Sequence, residues 1–183
     1  KKNLDINVYE AFQNRMEYIF QEFDNIYVSF SGGKDSGLLL NLVLDYAKKN
    51  NIKKKIGVFH QDFEAQYSVT TEYILNTFEK NLDRIEPYWV CLPMATRTAL
   101  SSYEMYWYPW DDTKKDIWIR DMPKKPYVIN IENNPFYYYK YKMHQEKLAK
   151  MICKIKPDAI CVLFSNYPYT IHTVQNTLPA IVW

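Results

Sequence analysis

Ten residues, Tyr27-Val28-Ser29-Phe30-Ser31-Gly32-Gly33-Lys34-Asp35-Ser36, constrain this chain more than any other segment. An apolar run able to form a buried strand breaks at Ser31, and an apolar helical pattern, Gly37-Leu38-Leu39-Leu40-Asn41-Leu42-Val43-Leu44, follows at once. Strand, tight glycine turn and helix N-terminus together make a phosphate-binding arrangement. The first helical N–H groups lack intrahelical partners, and the helix dipole adds roughly half a positive charge there. Gly32 and Gly33 let backbone approach an anion closely and permit positive φ. Ser31 and Ser36 offer hydroxyl donors, and Lys34 adds a mobile cation. A plain strand-to-helix turn with Asp35 or Ser36 as N-cap is the alternative. A Walker A loop is excluded, because Lys34 is followed by Asp35 and no glycine stands five residues before Gly33. Ser-Gly-Gly-x-Asp-Ser fixes five positions, a match that average residue usage produces on the order of once in a million positions.

Hydrophobic spacing on either side sets the fold class. Ile6, Tyr9, Phe12, Met16, Ile19, Phe20 and Phe23 recur at three and four, which predicts an amphipathic helix over residues 5–23. Strands are predicted over 25–31, 55–60, 87–92 and 158–164, and helices over 35–49, 67–82 and 141–155. Strands alternating with helices imply an α/β fold: a mainly parallel, twisted sheet with flanking helices. The whole chain, 1–183, reads as one nucleotide-binding domain. Residues 94–140 break the rhythm and are dominated by Tyr, Trp and Pro; they read as an aromatic-rich insertion packed over the sheet's C-terminal edge.

Composition excludes several classes. Apolar residues make up 48% and charged residues 24% of the 183 residues, which is ordinary for a globular chain. A net charge of +2 gives no general electrostatic case for nucleic acid. Only local clusters, Lys53-Lys54-Lys55, Lys114-Lys115, Lys124-Lys125 and the tyrosines of 137–141, point that way. Cys91, Cys153 and Cys161 form no C-x-x-C pair, so zinc-ribbon and dithiol chemistry are unsupported. Three scattered thiols and no signal peptide favour a reducing, cytoplasmic setting, and no apolar run is long enough to span a bilayer. His60, His144 and His172 lack metal-ligand spacing, and His144 falls in a predicted helix.

Ser31 to Ser36 resembles the PP-loop of the adenine nucleotide α-hydrolase-like superfamily, which includes N-type ATP pyrophosphatases, ATP sulfurylase small subunits, tRNA-modifying adenylases and phosphoadenosine phosphosulfate (PAPS) reductases. With Ile56-Gly-Val-Phe-His-Gln-Asp62, Tyr106-Trp-Tyr-Pro-Trp110 and Asp116-Ile-Trp-Ile-Arg-Asp-Met-Pro123, the chain is most similar to the PAPS-reductase-like branch, some members of which are described as prophage-gene coactivators. The resemblance implies a nucleotide across the ends of the first two strands. Ser29, Phe30 and Ser31 would line the nucleoside, and Ser31, Gly32, Gly33, Lys34, Asp35 and Ser36 would hold phosphates. Val58 and Phe59 would flank the base or simply be buried, and His60 and Asp62 would lie beside the nucleotide. Lys34 and Asp35 are the catalytic candidates. Asp35 either holds Mg²⁺ beside the phosphates or caps the helix. Asp62 and Glu64 read as an exposed acidic pair, either plain surface or a second metal position. Arg120 is a candidate anion ligand or an ion-pair partner of Asp116 or Asp121. Tyr106, Trp107, Trp110 and Trp118 form either a stacking platform or a satellite core.

The implied chemistry is ATP α–β cleavage, with adenylyl transfer to an unspecified acceptor and release of pyrophosphate. PAPS binding is the alternative, and a nucleotide-sensing or DNA-associated regulator is a third reading. The chain departs from PAPS reductases proper. No Glu-Cys or Cys-Gly pair occurs, and Cys161-Val-Leu-Phe164 runs into Ser165-Asn-Tyr-Pro without the Gly-x-Arg-x-x-Glu-Ser segment of related proteins. Either the motif is lost or the C-terminal part is incomplete. Homo-oligomers are compatible with all three readings.

Overall fold

The computed structural model describes residues 5–98, 100–136 and 139–144, and the backbone of 159–162. Helix α1 (Val8–Glu22) opens with a reciprocal cap: Asn7 accepts from the Glu10 N–H, and Glu10 accepts from the Asn7 N–H. Strand β1 (Asn25–Ser29) leads through the glycine turn into α2 (Lys34–Lys49). Strand β2 (Ile56–Gln61), α3 (Ser68–Asn81) and β3 (Ile85–Val90) complete two β-α-β units. A two-stranded antiparallel ribbon, β4 (Thr96–Arg97) and β5 (Tyr106–Trp107), precedes a 3₁₀ segment at Asp112–Ile117. The last strands are β6 (Val128–Ile129) and β7 (Ala159–Val162).

Five strands form one sheet in the order β6-β3-β2-β1-β7, and every pairing in it is parallel. The α/β class with a parallel sheet and flanking helices therefore stands. Alternation along each strand divides the core in two. Val28 of β1 and Phe30 just after it, Val58 of β2 and Trp89 of β3 face Met16 and Ile19 of α1, Leu40 and Val43 of α2, and Ile74 and Phe78 of α3. Tyr27, Phe59, Val90 and Ile129 face the other way, against Phe136, Tyr139 and Met143. The chain runs β1, β2, β3, β6 in one direction across the sheet and then returns to the far side of β1. Phe136, Tyr139 and Met143, which follow β6, pack on the face opposite the three helices.

Several sequence expectations need correction. Residues 94–140 are not wholly an insertion, because Val128–Ile129 supplies the edge strand of the main sheet. Two residues carry too little alternation to be read as a strand. The outward Val128 groups are closed locally: its N–H donates to Lys125 O (3.0 Å) and its carbonyl accepts from Asn133 Nδ2 (2.8 Å). The helix expected from 141 does not begin there. Residues 141–142 form a turn, and His144 makes an isolated bridge to Ala95. The remainder of that helix, Cys153, His172 and Tyr137 lie outside the described residues, as do the ends of the strand expected over 158–164. No helix among the described residues is long and apolar enough to cross a membrane.

Candidate functional site

Strand order reverses at β1, which pairs with β2 on one side and β7 on the other. Ligands of open parallel sheets bind outside the strand C-termini at such a switch point, and the Ser31–Ser36 loop leaves β1 there. Two bonds fix Phe30, the residue that precedes it. The Phe30 N–H donates to Phe59 O (2.7 Å), and the Phe30 carbonyl accepts from His60 Nδ1 (2.9 Å).

The loop holds itself in shape. Ser31 Oγ lies 3.0 Å from Ser36 Oγ and accepts from the Gly33 N–H (3.3 Å). Ser36 Oγ donates to Gly33 O (3.1 Å). Both hydroxyls, expected as phosphate donors, are thus engaged within the loop. Gly32 has φ +79° and sits against α3, where an added Cβ would lie 2.7 Å from the Ile74 side chain and 2.8 Å from Thr70 Cγ2. Only glycine fits both demands. Gly33, at φ −78°, uses no left-handed backbone; it is the N-cap of α2 and offers no side-chain cap. Asp35 and Ser36 are therefore helical residues, not caps. The N–H groups of Lys34, Asp35 and Ser36 donate to nothing among the described residues. The Lys34 side chain is 93% exposed and that of Asp35 70%, with their charged atoms 4.0 Å apart. Three backbone donors and a dipole end thus stand at the switch point beside an exposed ammonium whose nearest charge is Asp35, 4.0 Å away.

The other predicted contacts are placed differently. Phe30 turns its ring into the helix-side core, against Phe78 and Tyr73. Val58 and Phe59 are buried on opposite faces of the sheet, so neither presents a side chain to a base. Ser29, half-buried at the end of β1, and exposed Ser31 remain at the rim. His60 is fully buried, edge-on to Trp89 at 5.1 Å. Because a carbonyl takes its Nδ1, that nitrogen carries the proton, and the buried Nε2 meets no hydrogen-bond geometry among the described residues. Burial is the largest influence on its pKa and lowers it, outweighing the upward pull of Asp62 and of the Phe30 bond.

Asp62 and Glu64 form the centre of a buried ionic node, not an exposed acidic pair. Asp62 is 1% exposed; Oδ1 accepts from the Glu64 N–H (2.8 Å) and from Arg120 (2.5 Å), and Oδ2 accepts from Trp89 Nε1 (2.7 Å). Glu64 accepts from the Trp110 N–H (2.8 Å) and the Ile119 N–H (2.9 Å). Arg120 also donates to Glu64 O (2.9 Å), and its guanidinium lies 4.9 Å from the Trp110 ring centre. Arg120 thus pairs with Asp62, 58 residues away, in place of Asp116 or Asp121. Each carboxylate oxygen of Asp62 and Glu64 already accepts at least one protein donor. Trp110 is buried and edge-on to Trp118 (5.1 Å), so these two indoles are core. A groove of about 960 Å³ runs past Arg120, Trp118, Lys125 and Asn133, lined by charges of both signs, and takes in no loop residue.

No group of three or more His, Cys, Asp or Glu suited to a metal occurs among the described residues. Asp35 still fits Mg²⁺ as a lone exposed carboxylate, since that ion commonly takes one or two carboxylates together with substrate phosphates and water. The residue missed by sequence reading is Tyr73, whose hydroxyl abuts Gly37. Its position in a regular helical pattern gave no sign of this.

No protein-family model matches the chain. Over 122 residues it is 39% identical to the uncharacterized protein YbdN of Escherichia coli (strain K12), a match covering 66% of this chain and 29% of that protein. The chain thus spans less than a third of the length of that relative. No solved structure matches.

Proposed function

We propose that the Ser31–Ser36 loop binds the phosphates of an adenine nucleotide as a PP-loop, and that the chain acts in ATP α–β phosphate cleavage. The observation that carries this reading is the unspent donor set: the N–H groups of Lys34, Asp35 and Ser36 and the Lys34 ammonium, open at the sheet's switch point. In the proposed reaction an acceptor nucleophile attacks the α-phosphorus, the α–β bridging bond breaks, and pyrophosphate leaves. The backbone donors and Lys34 hold the pyrophosphate oxygens where negative charge develops, and they need no rearrangement because the serine bonds already fix the loop. Asp35 would hold Mg²⁺, which neutralises phosphate charge when bound. Of the residues expected to line the nucleoside, Ser29 is half-buried and Ser31 exposed, and these two would make that contact.

Calorimetric titration with ATP and with PAPS, each with Mg²⁺, tests the reading. ATP binding that weakens about tenfold or more in Lys34→Ala is expected, the size of a lost charge-assisted contact. Selective PAPS binding would transfer the site to a sulfonucleotide. Equal affinity in Lys34→Ala and Gly33→Ala would remove the loop from the account.

A further inference from the structure

We propose, resting on the phosphate-loop reading above, that the Tyr73 hydroxyl is an additional ligand of the bound phosphates, supplied by α3. Both α2 and α3 begin at the C-terminal edge of the sheet, and two glycines let α3 close against the loop. Gly32 admits Ile74 and Thr70, and Gly37, in the first turn of α2, admits Tyr73. A Cβ at position 37 would lie 2.8 Å from Tyr73 Oη, so any other residue there pushes the hydroxyl away.

The Tyr73 ring is held edge-on to Phe30 at 5.8 Å, which fixes its direction from the residue that opens the loop. Tyr73 is 41% exposed, and its hydroxyl makes no hydrogen bond among the described residues. Tyr88, Tyr127 and Tyr139, by contrast, spend theirs on Glu86, Glu79 and the Pro93 carbonyl. Gly37 follows Ser36 directly, and at a rise of about 1.5 Å per residue its Cα lies within about 5 Å, along the axis, of the free N–H groups of α2. A neutral phenol there can donate to a phosphate oxygen on the flank of the helix end, where backbone donors do not reach. It adds direction without adding charge.

The test is titration with inorganic pyrophosphate and with ATP, in wild type, Tyr73→Phe and Gly37→Ala. Tyr73→Phe keeps the ring against Phe30. It is expected to weaken pyrophosphate binding roughly tenfold or more, the scale of a hydrogen bond to a charged group, with an unchanged melting temperature. Gly37→Ala retains the hydroxyl but displaces it, and is expected to weaken binding in the same direction. Wild-type affinity in Tyr73→Phe would overturn the Tyr73 assignment and leave the loop reading intact. Wild type that binds neither ligand would overturn both.

Discussion

The phosphate loop and the Asp62–Glu64–Arg120 node sit at the C-terminal ends of adjacent strands, yet they have opposite electrostatic designs. In the node both carboxylates are buried, Arg120 is half-buried, and each charge is matched. Asp62 takes three donors, Glu64 takes two backbone N–H groups, and Arg120 is divided between them. In the loop the charged side chains are exposed and the helix-end donors are unmatched. Closed bonding of the first kind fixes a long irregular segment to the sheet. Open bonding of the second kind leaves interaction energy for a ligand. Side-chain type alone does not separate the two, since each contains acids and a cation at the end of a strand; partner count does.

The contrast is broken most severely by Arg120→Ala. That substitution strands the Asp62 carboxylate in the interior, and removing one member of a buried pair costs about 3–5 kcal/mol. Urea unfolding should show a loss of that order, whereas Lys34→Ala should leave the midpoint unchanged. Comparable stability in the two variants would mean that the node is not the closed system its geometry describes.

Gly32→Ala follows in size. Positive φ costs a non-glycine residue about 1–2 kcal/mol, and the Cβ clash with Ile74 adds overpacking of about 1–3 kcal/mol. Gly33→Ala carries neither burden, since φ is −78° and the nearest contact is Ser31 Oγ at 3.3 Å. Thermal melts should therefore separate these adjacent glycines, with Gly33→Ala close to wild type in stability. In the sequence the two glycines read alike, and only their backbone angles and the approach of α3 distinguish them.

Other differences between reading and structure share that cause. The first three helices and first three strands were legible to within about three residues at their ends, because local periodicity specifies them. The Asp62–Arg120 pair was not, because it joins residues 58 positions apart through a segment with no sustained period. His144 belongs to a bridge with Ala95 and packs against Tyr106 at 5.3 Å, a non-local pairing that no short window shows. The strand, glycine turn and helix start around Ser31–Ser36 were legible for the opposite reason: they come from one contiguous run. The loop's closed serine pair, which withdraws two expected donors, was not.

His60 joins the two regions, with its Nδ1 on the loop carbonyl and its ring against the Trp89 that serves Asp62. Its native pKa is depressed, chiefly by burial, with Asp62 and the Phe30 bond opposing and Arg120 adding to the depression. Folding strength is then fully present above the unfolded value near 6.5 and falls as pH drops from there through the native value. The loss in wild type between pH 7 and 5 should exceed that in His60→Asn, which can keep a donor toward Phe30 without titrating. Parallel stability–pH curves would show that the imidazole is not the coupling group.

The smallest effect is the most pointed. α1 closes its N-terminus with the Asn7–Glu10 box, and Asn7→Ala should cost about 1 kcal/mol. α2 begins at Gly33, whose extended backbone (φ −78°, ψ 165°) would accept a capping side chain. Gly33→Asp should therefore stabilise the fold by a few tenths of a kcal/mol, the usual advantage of aspartate over glycine at that position. The same carboxylate would occupy the N–H groups of Lys34–Ser36 and repel a phosphate. A variant that melts slightly higher but no longer binds pyrophosphate would show that the missing cap is what keeps the helix end open to a ligand. A variant that binds as well as wild type would place the anion elsewhere.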